Sequence, residues 1–213
     1  MFTETDNRSL DEIMKARRIC RKFTDRVPSK EDVAAVVEAG RLAPYASISS
    51  GDVDVFRHFY VIFKDNPLLD KIEALIRSQS AADVAWLKKE MEKDSFLKEY
   101  GEGLEKMWTN VAEHGLPVFP NPPCLIIIAE WRGARRAERQ SLAHTIQNMW
   151  LKATALNLDF NLISPIESMW DNQEFCDLFG LPTGRYGFHG CIVGYRQAEK
   201  LTSKPISAQV HWL

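Results

Sequence analysis

The chain has 213 residues, enough for one substantial core, and its 45% apolar and 26% charged residues are ordinary for a globular protein and unlike a disordered one. A formal charge of −2 argues against general affinity for nucleic acid or anionic membrane, so neither is expected as a partner. The longest apolar run, residues 124–129, falls far short of the roughly 20 residues that cross a bilayer and reads as a buried strand.

The N-terminal stretch carries Glu4, Asp6 and Asp11 and no apolar run, so it is expected to be neither a signal nor a transit peptide. Cys20, Cys124, Cys176 and Cys191 stand far apart with no CxxC pair, which fits reduced thiols and a cytoplasmic location. Ser9 and Glu12 have the spacing of a capping box, which predicts a short first helix running to about Ala16. A basic segment, Arg17-Arg18-Ile19-Cys20-Arg21-Lys22-Phe23, follows. Ser29 caps a second helix carrying Val33, Val36 and Val37, which ends before Pro44, and residues 45–54 form a polar loop.

Residues 57–64 alternate and are rich in aromatic and β-branched side chains, which predicts a strand. Residues 67–115 are highly charged with helical spacing, and two or three surface helices are expected there. Prolines at 117–123 stop helix and lead into a strand over 123–130. The longest helix is expected over 134–157, with Leu142, Ile146, Met149, Trp150, Ala153 and Leu156 on one face and Ala143, Leu151 and Ala155 on the other. A helix apolar nearly all round belongs inside an assembly, and this one predicts a twofold dimer. A strand at 160–164, a short helix at 172–179 and a strand at 187–195 complete a single α+β domain.

Of the residues that carry chemistry, Arg17, Arg18, Arg21 and Lys22 are four cations within six residues beside a capped helix, a pattern suited to a dianionic phosphate or to a solvated basic face. In an extended segment Arg17 and Arg21 would point the same way. Neither GxGxxG nor GxxxxGK[ST] occurs, and the five histidines show no metal-ligand spacing, so no metal is expected. His189 and Cys191 lie two apart on a strand, a geometry poorly suited to a nucleophile and its base. Arg132, Arg135, Arg136 and Arg139 cluster at a helix start, where pairing with Glu130 and Glu138 is the simplest reading.

Taken in order, these segments resemble the nitroreductase family of flavoproteins. The resemblance rests on Arg17-Arg18-Ile19-Cys20-Arg21-Lys22-Phe23, on Gly40-Arg41-Leu42-Ala43-Pro44, on the strand at 123–128, on the central helix around 147–153, and on Gly194-Tyr195 after the last strand. It implies a three-layer α/β/α fold with a central mixed sheet of about four to five strands, an intertwined homodimer, and one domain over 1–213 carrying a charged helical insertion at about 67–115. It also implies FMN as cofactor and NADH or NADPH as reductant.

By that resemblance Arg17, Arg18 and Arg21 contact the phosphate, ribityl chain and pyrimidine edge of FMN, with Ile19 contributing backbone. Tyr45, Ala46 and Ser47 line the ring from the other subunit. The turn at Ile163, Ser164 and Pro165 presents a backbone N–H, that of Ser164, to the flavin N5, and Lys200 or Lys204 closes on the phosphate. No side chain acts as a catalytic nucleophile, because the flavin carries the redox chemistry. Two features depart from the family pattern: Ile48 stands where an amide ligand is usual, with the following Gln-Pro-Trp absent, and Pro165 removes a donor at the N5 turn. The expected function is hydride transfer from NAD(P)H through flavin to a small electron-poor acceptor such as a nitroaromatic, quinone or flavin. The alternative is a flavin-binding or redox-sensing module with little turnover.

Overall fold

A computed structural model describes residues 1–45, 56–119, 121–133, 136–198 and 207–212. Its elements in chain order are α1 (Glu4–Ala16), α2 (Lys30–Arg41), β1 (Arg57–Phe63), α3 (Leu68–Met91), α4 (Ser95–Tyr100), α5 (Glu102–His114), β2 (Cys124–Trp131), α6 (Glu138–Ala155), β3 (Asp159–Leu162), a 3-10 helix (Ser164–Asp171), α7 (Gln173–Asp177) and β4 (Tyr186–Gly194). The first helix starts earlier than the Ser9–Glu12 spacing predicts. Thr3 and Asp6 form the reciprocal box, with the Asp6 N–H donating to the Thr3 hydroxyl at 3.2 Å and the Thr3 N–H to Asp6 at 2.8 Å. Ser9 lies inside the helix.

The strands form one sheet in the order β1-β2-β4-β3, and each neighbouring pair is antiparallel. The sheet is thus antiparallel where a mixed one is expected, and an isolated parallel bridge joins Ile19 to Phe160 at its β3 edge. The pleat sends alternate residues to opposite faces. Cys124, Ile126 and Ile128 of β2 join Val33 and Val36 of α2 and Leu142, Ile146 and Met149 of α6 in one core. Leu125, Ile127 and Ala129 meet Leu69, Ile72 and Ile76 of α3, Val111 of α5, and Ile166 and Met169 of the 3-10 helix in the other. The protein is therefore an α+β fold of three layers, helix on sheet on helix, and β2 is apolar on both faces because both are covered.

The charged stretch is more deeply integrated than a set of surface helices. α3 and α5 pack on each other and α3 buries one apolar stripe against the sheet, while its charges face out. Gly115 closes α5 at a φ of +76°, where a side chain would be strained.

β4 is longer than its edge partner. β3 pairs only with residues 191–194 of β4, so residues 186–190 have β2 on one side, and on the other the chain departs through the 3-10 helix. The space left at that edge positions the candidate site.

Candidate functional site

The site grows from the end of α1. Arg17 is the C-cap, its N–H bonded to the Ile13 carbonyl, and from there the chain runs along β3. The Cys20 N–H donates to the Phe160 carbonyl at 2.8 Å, and Trp150 Nε1 of α6 donates to the Arg18 carbonyl at 3.3 Å. Backbone bonds thus fix the strip on the core. The Arg17 guanidinium lies 4.3 Å from the centre of the Trp150 ring, a cation–π contact, and that ring stacks on Phe160 at 5.0 Å. Ile19 and Arg21, by contrast, line a cavity of about 320 Å³. The expectation that Arg17 and Arg21 share a side fails because Arg17 still belongs to the helix cap, so strand alternation begins after it.

The far wall of that cavity is the turn at Ile163–Pro165, joined by Asn161 and Leu162 of β3. The Ile163 N–H is used in the sheet, donating to the Gly190 carbonyl at 2.8 Å. Ser164 opens the 3-10 helix, so its N–H has no intrahelical acceptor, and Pro165 carries none. The Ser164 N–H is therefore the amide of this turn able to donate to a ligand. The structure thus brings together Ile19, Arg21, Ile163 and Ser164 of the residues singled out from sequence. Tyr45 sits elsewhere, at the end of β2, with its hydroxyl donating to the Trp131 carbonyl at 3.3 Å. Ala46, Ser47, Ile48, Lys200 and Lys204 lie outside the described residues.

The remaining wall comes from residues the sequence reading passed over. Met107, Trp108 and Val111 of α5, with Leu116 and Val118 after it, give the cavity its apolar side. A second, more polar cavity of about 620 Å³ adjoins it, sharing Trp108, Ser164 and Pro165 and continuing along Asp83 and Trp86 of α3 to Glu167, Trp170 and Asp171 of the 3-10 helix. Trp108 is a wall of both, and the one available signal was an aromatic residue on the inner stripe of an otherwise charged helix.

Beside these cavities the α6 face of the sheet carries buried charge. Glu130 of β2 is fully buried and accepts from Arg57 Nε at 2.7 Å, and Arg57 also donates to the Ala43 carbonyl at 2.8 Å, tying down the end of α2. Burial pushes the Glu130 carboxyl up despite Arg57, which opposes the shift. Arg132 takes the second acid, donating to Glu138 at 3.3 Å while its guanidinium lies 3.9 Å from the Trp170 ring centre. The expected pairing therefore holds for Glu138 and moves to Arg57 for Glu130. Cys191 is fully buried with its thiol pushed well up, so it is no thiolate nucleophile for His189.

The chain's sequence matches the profile of the Nitroreductase family over residues 14–195. A search of curated proteins found no match. Among solved structures, a nitroreductase with bound FMN from Bacteroides fragilis NCTC 9343 superposes with a TM-score of 0.66 at 22% identity, covering 96% of this chain and 97% of its own. A nitroreductase with bound FMN from Desulfitobacterium hafniense DCB-2 gives 0.65 at 20% identity over 100% of both chains. An iodotyrosine deiodinase bound to FMN and 3-iodo-L-tyrosine gives 0.66 at 18% identity, covering 95% of this chain and 98% of its own. At these identities the superpositions speak for the fold, and the profile match over most of the chain carries the family: the protein belongs to the nitroreductase family.

Proposed function

We propose that the chain is a single-domain FMN-dependent oxidoreductase that uses NADH or NADPH to reduce a small electron-poor acceptor. The observation that carries this reading is the Ser164 amide, without an intrahelical acceptor, at the wall of an apolar cavity that Arg21 also lines. An apolar cavity of about 320 Å³ with a few polar groups suits a flat ring system, and the FMN bound in two nitroreductases of the same fold supports that choice. Held there, FMN supplies the hydride chemistry that no side chain of the chain offers.

In this reading the Ser164 N–H donates to the flavin N5, and Arg21 faces the pyrimidine edge. Arg17, Arg18, Lys200 and Lys204 provide cations for the phosphate and ribityl chain. Met107, Val111 and Leu116 exclude water from one side of the ring. Tyr45, Ala46 and Ser47 belong to the ring's other side, contributed across a homodimer. Support for the dimer comes from α6, whose outward face exposes Ala143 and Ala155 beside half-buried Leu151, small apolar residues that a second copy can cover. Four buried free cysteines support a reducing, cytoplasmic setting.

The test is the absorption spectrum of the freshly purified protein, with the released cofactor identified by mass, followed by rapid mixing with NADPH and with NADH. A yellow protein that releases FMN and bleaches within seconds is expected. A yellow protein whose spectrum both NADPH and NADH leave unchanged points to a flavin-binding module instead, and a colourless protein that takes up no FMN removes the proposal. Arg17→Ala is expected to weaken FMN binding by roughly 1.5 to 3 kcal/mol if its bond is charge-assisted. An unchanged dissociation constant would place Arg17 outside the site.

A further inference from the structure

The polar cavity ends in a recess of about 20 Å³ beyond Arg139, Glu167 and Trp170, which line both spaces. The recess exists because β4 outruns β3 and because residue 187 is a glycine. A Cβ there would meet Glu138 Cγ at 2.8 Å, so the Glu138 side chain lies directly over the bare strand. Two buried polar atoms of its walls, Glu138 Oε2 and His189 Nδ1, have no hydrogen-bond partner among the described residues. Glu138 is 2% exposed, so water outside the recess does not satisfy it. Leaving such a group unpaired costs about 1–3 kcal/mol, and more when it is charged.

The volume admits one group the size of a water molecule. The chemistry of the wall says which group. Glu138 Oε2 only accepts when ionised, and burial pushes the His189 imidazole down, keeping it neutral with one ring nitrogen able to accept, though Glu167 opposes that shift. Arg132 is committed to Glu138 and to the Trp170 ring, and Arg139 stands 3.7 Å from Glu167. The recess lining sets Glu138 and Glu167 against Arg132 and Arg139, both guanidiniums already paired with one of those acids, and the large cavity adds Asp83 and Asp171 with no further cation among the described residues. A donor with positive charge fits this lining, and a carboxylate does not.

We propose that the recess is an ammonium-binding subsite, and that the adjoining cavity takes an aromatic compound bearing a primary amine on a short aliphatic arm. The ammonium donates to Glu138 Oε2 and His189 Nδ1 with Glu167 at the entrance, and the ring lies among Trp86, Trp108 and Trp170. That this ligand is the electron acceptor rests on the flavin reading above, whereas the subsite itself does not.

Calorimetric titration of the full chain as purified tests it with three probes that share a phenylethyl arm and that flavin cannot reduce: 2-phenylethylammonium, 2-phenylethanol and 3-phenylpropionate. The ammonium is expected to bind at least tenfold more tightly than the alcohol, and the carboxylate more weakly than either. Glu138→Gln is expected to bring the ammonium to the affinity of the alcohol. Because Glu138 also holds Arg132, the half-exposed Glu167→Gln serves as the variant that cannot disturb the core, with an expected loss of about threefold, as for a partly screened charge. Equal affinity of ammonium and alcohol means that the recess takes a water only, and overturns the proposal, as does absence of binding by all three. A yellow protein without ammonium preference overturns the subsite alone. A colourless one that keeps the preference overturns the flavin reading and upholds the subsite.

Discussion

The two faces of the sheet solve different problems. On the α2/α6 face the apolar side chains close over β2, the charges that remain are buried in pairs, Arg57 with Glu130 and Arg132 with Glu138, and a small recess is left where Glu138 and Leu142 face Gly187 and His189. On the α3/α5 face the core is just as apolar near β1 and β2, but it opens toward β3, where the cavities collect around Ser164 and Pro165. The site is therefore made by strand length. Where all strands run side by side the helices seal the sheet, and where β3 stops the covering elements arch over a gap.

The sharpest way to break this contrast is at Arg57. Its side chain is 11% exposed and bonds Glu130 together with the carbonyls of Gly40, Ala43 and Pro44. Arg57→Met leaves a buried carboxylate without its cation and α2 without its anchor, and a loss of about 3–5 kcal/mol in urea unfolding is expected. Replacing Glu130 by Leu in the same chain should recover part of that loss. Lys64 with Asp25 is the contrasting pair, with Asp25 97% exposed, and Asp25→Asn should leave the unfolding midpoint where it was. Equal effects at the two pairs would mean that the closed face is not held by its buried charge.

Ile76 asks whether the charged insertion is part of the domain or a covering. It is fully buried on α3 against the second core, and Ile76→Ala should cost about 2–4 kcal/mol in a single cooperative transition. A separate early transition with the main one unmoved would make 68–114 an autonomous flap. Such a flap would leave the walls given by Trp108 and Val111 loosely held.

Much of the two faces was legible because the signals are periodic. β2 is continuously apolar since both faces bury it, and α6 shows its inward stripe at helical spacing. The start of α1 lacks such a signal: the helix buries none of its residues, so no stripe marks its beginning and a serine inside it has the spacing of a cap. Ile19 and Arg21 of the basic strip line one cavity with the Ser164 turn, whereas nothing in the sequence connects Trp108, Glu138 and His189 with them. Those three come from α5, α6 and β4, Trp108 lining the two larger cavities and Glu138 and His189 the recess beyond them, and that placement depends on where β3 ends, which no local spacing encodes. The trace they left was chemical: a glutamate on the apolar side of a helix and a glycine opposite it on a strand.

A smaller effect sits at the start of α2, the helix that Arg57 anchors at its other end. The Ser29 hydroxyl accepts from the Asp32 N–H at 3.0 Å, and Ser29→Ala should cost about 1 kcal/mol, read as a lower thermal midpoint with the cooperativity unchanged. If the loss approaches that of Arg57→Met, the helix is held by its cap and not by its buried end.

The smallest expected effect tests whether the recess at the open edge is closed to bulk solvent. Burial holds the His189 imidazole below its ordinary value of 6.5, so the folded state binds fewer protons than the unfolded one as pH falls. His189 therefore takes nothing from stability above about 6.5, and stability is lost as pH drops from there toward the lowered folded value, below which the loss is constant. Glu130 acts in the opposite sense: its raised pKa makes the folded state bind more protons, so its contribution is largest in acid and falls as pH rises from about 4.5 through the folded value. Because the two overlap, the informative quantity is the difference between the wild type and His189→Asn at pH 7.5, 6.5 and 5.5. The wild type should lose more of its urea midpoint over that range than the variant does. Parallel losses would mean that the imidazole is hydrated when folded, and that the edge beyond β3 is open to solvent down to the strand.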